Sequence, residues 1–170
     1  MVRMTYIGWY ILVLCYVMNW ISLIAVMISN FDGAGNTAMS FGLACIMMII
    51  GIPISFAGWY RPLYNGARTG KSSLFVWFFF AFSVHILLCC FWALGIPSTG
   101  SAGLIIALTA YGKDDPTSGT LCLFTGFAWG ICAVWSLLRI YRAHQYYLSR
   151  SMSASSAKHE VATAAARASV

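Results

Sequence analysis

The chain has 170 residues and a net charge of +6; 61% of its residues are hydrophobic, 16% aromatic and only 8% charged. Soluble domains carry about 25% charged residues, so a water-soluble globule is excluded, as is disorder over most of the length. One helical crossing of roughly 30 Å of hydrocarbon needs about 20 apolar residues, so the length accommodates four crossings, short loops and a tail.

The first apolar run extends from Tyr6 to Ser29. Arg3 ahead of it resembles the start of a secretory signal. The run is too long for an h-region, however, and it ends Met27-Ile28-Ser29-Asn30 without a small-x-small cleavage pattern, so it is read as a retained helix. The second run covers Met39 to Gly58, with Pro53 expected to kink it. The third covers Leu74 to Ile96 and the fourth Gly119 to Leu138. None of the four contains Lys, Arg, Asp or Glu. Continuous runs satisfy their backbone internally and mean helices, whereas a barrel would show short alternating segments. Leu104 to Tyr111 is too short to cross and is assigned to the interface or to the bundle surface. The expected fold is an all-α membrane protein. A four-transmembrane-helix bundle spans residues 1–150, and a flexible Ser/Ala-rich tail spans 151–170.

Between the second and third runs lies Trp59-Tyr60-Arg61-Pro62-Leu63-Tyr64-Asn65-Gly66-Ala67-Arg68-Thr69-Gly70-Lys71. Trp and Tyr prefer headgroup depth, and Arg and Lys gain about 1 kcal/mol each near anionic lipid. Pro62 and Gly66 are expected to break any long helix, leaving the loop along the membrane surface. Two readings stay open: recognition of anionic headgroups, and ordinary topology-setting anchors. Gly66 to Ser72 superficially resembles a phosphate-binding loop. It has three residues between its glycines where four are needed, and no strand precedes it.

Orientation follows from the basic residues. With four crossings, nine of the ten Lys and Arg share one side: Arg3, Arg61, Arg68, Lys71, Arg139, Arg142, Arg150, Lys158 and Arg167. The other side holds Lys113 with Asp32, Asp114 and Asp115. Basic loops stay cytosolic, so both termini and the 59–73 loop are expected there.

Two polar residues fall inside spans, Asn19 and His85. The preferred reading is an interhelical hydrogen bond, because no acidic residue accompanies them. The competing reading is a small channel or transporter subunit whose pathway they line. A metal site joining His85 to Cys89, four residues along the same face, is set aside, and a single intramembrane histidine excludes bis-histidine haem. No metal and no cofactor are expected. The six cysteines all lie in the spans and are read as buried small apolar residues, although Cys90 and Cys122 occupy the same half of the membrane. Gly126 and Gly130 make a small-xxx-small face that permits close packing, within the monomer first and in a homo-oligomer second. Residues 139–150 suit a helix bending onto the membrane surface. There is no catalytic constellation and hence no catalytic residue or enzyme activity to assign, and no nucleic-acid partner is implied.

The string Pro53-x-Ser55-Phe56-x-x-Trp59-Tyr60-Arg61-Pro62-Leu63-Tyr64, followed by Arg68, resembles the signature of the secretory carrier membrane proteins. Phe78-Phe79-Phe80-Ala81-Phe82-Ser83-Val84-His85 is similar to that family's Phe-rich third helix, Asn19 matches an asparagine in its first, and Glu160-Val161-Ala162-Thr163 resembles the start of its tail. The chain departs from the family in having no Asn-Pro-Phe, so adaptor recruitment through that motif is not implied. Gly58 stands where the family commonly has cysteine, and Asn65-Gly66 replaces a more basic or bulkier pair. The resemblance implies a non-enzymatic protein of vesicle trafficking, exocytosis and recycling. Its membranes would be the trans-Golgi network, recycling endosomes or secretory vesicles, and the plasma membrane. Its partners would be membrane lipids, phosphoinositides among them, and trafficking or fusion proteins. The implied lipid-binding positions are Trp59, Tyr60, Arg61, Pro62, Leu63, Tyr64 and Arg68. Lys71 joins them on charge alone.

Overall fold

The computed structural model describes residues 2–150 and 154–168. Among the described residues four helical stretches are long and apolar enough to cross a membrane, in the order expected: Val2–Ser29, Thr37–Thr69, Ser72–Leu94 and Pro116–Ser149. We label the elements α1 (Val2–Ser29), α2 (Thr37–Ser55), a π-helical turn (Phe56–Tyr60), α3 (Arg61–Thr69), α4 (Ser72–Leu94), α5 (Leu104–Tyr111), α6 (Pro116–Ser149) and α7 (Ala154–Ala168). Local chemistry sets several boundaries. Asn36 caps α2 by accepting the Met39 N–H at 2.9 Å. Asp115 caps α6 by accepting the Ser118 N–H at 3.1 Å, with Pro116 at the first helical position, where a missing N–H costs nothing.

The second span does not stop at its prolines. It continues as one helical path from Thr37 to Thr69, so the break expected at Pro62 and Gly66 does not occur. The π turn explains why. The Arg61 N–H bonds to Phe56 O, one residue further back than in an α-helix. Pro62 donates nothing to the carbonyl of Gly58, and that carbonyl instead accepts the Trp77 indole N–H at 3.0 Å. Gly66 serves close packing, because a Cβ there would stand 3.1 Å from the Phe75 ring. The helix ends at Gly70, whose φ of 71° turns the chain back into α4.

Helix α6 packs on α1, α4 and α5, and α2 packs on α1. Small polar side chains seam α1 to α6: Ser22 lies 2.8 Å from the Thr125 hydroxyl and donates to Leu121 O at 3.1 Å, and Ser29 meets Ser118 at 3.1 Å. One buried cluster fills the half nearer the basic loop, around Leu12, Trp59, Phe78, Phe82 and Trp129. A second fills the other half, around Leu23, Val26, Ala102, Ile106 and Cys122. Helix α5 belongs to this second cluster through Ile106 and Ala107, and Ala110 is buried as well, so it packs into the bundle. Outward-facing side chains such as Ile49, Leu87 and Phe80 are apolar, as lipid contact requires.

Three sequence expectations change. Residues 139–149 continue α6 as one helix. Cys90 is exposed and Cys45 only half-buried, where all six cysteines were read as buried. The segment expected to be a flexible tail is helical over 154–168 and packs on α4; its residues 151–153 and 169–170 lie outside the described residues.

Glu160 holds that last contact. Its carboxylate accepts the Ser72 N–H at 3.1 Å, the Ser73 N–H at 3.1 Å and the Ser73 hydroxyl at 3.0 Å. Helix α4 has no side-chain cap of its own at Lys71, so α7 supplies the missing acceptor to its N-terminus. Burial alone would raise the Glu160 carboxyl, but the Ser73 and Ser72 donors, with Lys71 beside them, hold it below the usual carboxylate range. A depressed docked value means that the stabilisation is complete above the undocked pKa and is lost as pH falls through the docked one. Amide hydrogen exchange should therefore show α7 protected at neutral pH and released in acid, and Glu160→Gln should reduce protection at neutral pH and flatten the dependence. Equal protection in both proteins at both pH values would contradict this.

Candidate functional site

The basic-aromatic segment folds with two faces. Trp59, Pro62, Leu63 and Gly66 point inward; Trp59 is 3% and Leu63 0% exposed. The Trp59 ring packs at 4.8 Å from Phe82 and 5.3 Å from His85, in the middle of the aromatic core. These three aligned positions are thus bundle residues, and the expectation that Trp59, Pro62 and Leu63 contact lipid is corrected. An interfacial tryptophan and a core tryptophan look alike in sequence, because both sit at a helix end among aromatics.

Arg61, Tyr64 and Arg68 point outward, Tyr64 being 45% exposed. Their i, i+3, i+7 spacing places them on one stripe of α3, and exposed Lys71 follows just past the Gly70 turn. Tyr60 is half-buried, with its ring 5.2 Å from Tyr6 and 5.1 Å from Phe56. The outward stripe therefore carries three positive charges and one phenol at the end of a membrane-spanning helix. That arrangement suits an anionic headgroup layer: charge attracts phosphate while the ring partitions at headgroup depth.

The two intramembrane polar residues have separate tasks. Asn19 lies in α1 and clamps the connection between α4 and α5: its amide donates to Gly100 O at 2.9 Å, and its carbonyl accepts the Ala102 N–H at 2.7 Å. Both ends of the amide are satisfied by loop backbone, where an interhelical pair was expected. The loop approaches α4 closely: a Cβ on Gly95, where φ is 68°, would collide with Gly103. His85 packs under Trp59 and Phe82 and faces α6, with Ser136 Oγ 3.4 Å from its Nε2 and Cys89 Sγ 3.6 Å away. Of the two glycines on α6, Gly126 touches the backbone of Ala93, Gly103 and Leu104, whereas Gly130 has open space around it. Close packing within the bundle occurs at Gly126.

The SCAMP family model matches residues 1–150. The chain belongs to the SCAMP family. It is 31% identical over 131 residues to secretory carrier-associated membrane protein 5A of Xenopus laevis, and likewise to protein 5 of Homo sapiens; each match covers 77% of this chain and 55% of the relative. Against protein 2 of Homo sapiens the identity is 30% over 130 residues, covering 76% of this chain and 40% of the relative. The chain thus spans about half the length of the curated relatives it matches. No solved structure matches it. This SCAMP-family chain is a multi-pass helical membrane protein, and its outward Arg61, Tyr64, Arg68 and Lys71 fall within or just beyond the string that carries the sequence resemblance.

Proposed function

We propose that this SCAMP-family chain is a non-enzymatic membrane component of secretory-carrier trafficking. Its outward basic stripe engages anionic lipid, phosphoinositides included, on the cytosolic leaflet of Golgi-derived, recycling or secretory membranes and of the plasma membrane. The observation that carries the reading is the sorting of one short segment: Arg61, Tyr64, Arg68 and Lys71 outward, Trp59, Leu63 and Gly66 into the bundle. The relatives' names supply the secretory-carrier context. The excess of basic residues beside this segment supports its cytosolic orientation. The channel reading loses support because both polar ends of Asn19 are taken by loop backbone and His85 is covered by aromatic rings.

Each exposed cation near anionic lipid contributes about 1 kcal/mol, attenuated by salt over a Debye length of roughly 8–10 Å. Replacing Arg61, Arg68 and Lys71 together by Gln should weaken binding of a short-chain phosphoinositide to the detergent-purified chain by about a hundredfold, if the contributions add. The parent protein should lose most of its affinity at high salt, and the triple variant should show little salt dependence. Equal binding by both proteins would reduce the stripe to a topology anchor.

A further inference from the structure

Helices α4 and α6 bring three metal-ligating side chains together in the bundle interior. His85 and Cys89 share one face of α4, and Cys132 meets them from α6. The Cys89 and Cys132 sulfurs are 4.0 Å apart, Cys89 Sγ is 3.6 Å from His85 Nε2, and the donor atoms of all three residues fit within 4.8 Å of one another. All three are buried: Cys89 is 0%, Cys132 2% and His85 8% exposed.

We propose that His85, Cys89 and Cys132 bind a zinc ion that ties α4 to α6 through three protein ligands. The spacing favours this. Zn–S bonds of about 2.3 Å and Zn–N bonds of about 2.0–2.1 Å at tetrahedral angles put ligand sulfurs about 3.8 Å apart and sulfur about 3.6 Å from nitrogen. The observed separations of 4.0 and 3.6 Å come within a few tenths of an ångström of those values without an ion. A disulfide would need the sulfurs at about 2.0 Å instead.

Charge selects the metal. A thiophilic ion suits two sulfurs and an imidazole, which admits Zn²⁺ and Cu⁺. Binding of Zn²⁺ releases the two thiol protons of Cys89 and Cys132, and the two thiolates with a neutral imidazole leave a site of zero net charge. Cu⁺ with the same ligands would leave one negative charge in a low-dielectric interior, which is costly. An apolar groove of about 570 Å³ between α2 and α4, lined by Ile50, Ile54, Trp77 and Val84, also borders His85. This inference runs against the sequence expectation of no metal. It is independent of the lipid-binding proposal, since no residue of the outward stripe takes part.

The test uses the full chain carrying an affinity tag without histidine, purified in mild detergent, exposed to Zn²⁺ or Cu⁺ and desalted. Mass-spectrometric metal analysis should find about one zinc per chain, as a site of this ligand number predicts. Cys45→Ser and Cys90→Ser, which lie outside the cluster, should keep it, and Cys89→Ser and Cys132→Ser should reduce it at least tenfold. Two readouts on the unaltered chain do not depend on variant folding. Co²⁺ loading should give the intense absorption of a thiolate-ligated tetrahedral site, and bound zinc should protect Cys89 and Cys132, but not Cys45 or Cys90, from alkylation. Absence of zinc together with absence of Co²⁺ bands overturns the proposal, as does a Cys89–Cys132 disulfide in the purified protein or preferential retention of Cu⁺.

Discussion

Replacing Trp59 by alanine should destabilise the bundle by about 3–5 kcal/mol, the usual cost of emptying a buried tryptophan site. The indole is 3% exposed and lies against Phe82 and His85, so its removal leaves a cavity where the second span meets α4. Tyr64, five residues further on and outward-facing, makes the control: Tyr64→Ala should change stability by no more than about 0.5 kcal/mol. Unfolding of the detergent-solubilised chain, followed by near-ultraviolet circular dichroism, measures both. The pair inverts the effect that an interfacial anchor would have. Were Trp59 a lipid contact, its loss would weaken membrane partitioning and leave the solubilised fold intact. A Trp59→Ala protein as stable as the parent would refute the assignment of Trp59 to the core.

Asn19→Ala should have the second-largest effect, because it strands two buried backbone groups together. The Ala102 N–H and the Gly100 carbonyl lie in a loop, where no helix supplies a substitute partner. An unsatisfied buried polar group costs about 1–3 kcal/mol, so two of them should cost roughly 2–6 kcal/mol. Side-chain hydrogen bonds between membrane helices average only about 0.6 kcal/mol, since unfolded segments find other partners in lipid. The structural difference decides which magnitude applies: here the partners are loop backbone, tied down by the close approach of Gly95 to Gly103. Hydrogen exchange should localise the loss to residues 96–104 and to α5, with α7 unaffected. A loss near 0.6 kcal/mol, with the loop still protected, would show that other groups had taken over.

The two substitutions separate the halves of the bundle. Trp59 belongs to the cluster near the basic loop, and Asn19 orders the connection beside the cluster containing Ala102 and Ile106. Their effects should add within about 0.5 kcal/mol if the halves behave independently.

Composition and run length alone determined the four crossings, because lipid admits only segments that satisfy their own backbone and about 20 uncharged apolar residues can do little else. The Trp59–Tyr64 string by itself was enough to resemble the family that the chain proved to belong to. Sequence could not show which way each residue of that string faces. Pro62 read as a breaker, but a π turn and the Trp77 indole accommodate it, and the resulting phase of α3 sends Arg61, Tyr64 and Arg68 outward and Trp59 inward. Only tertiary structure decided the remaining pairings, all between residues distant in the chain. Asn19 finds a loop 81 residues away, Glu160 caps a helix 88 residues before it, and Cys132 reaches His85 and Cys89 across the bundle. Apolar membrane helices carry hydrophobic residues around their whole circumference, so periodicity marks no inward face. Which polar atoms meet is set by how the helices rotate and pack.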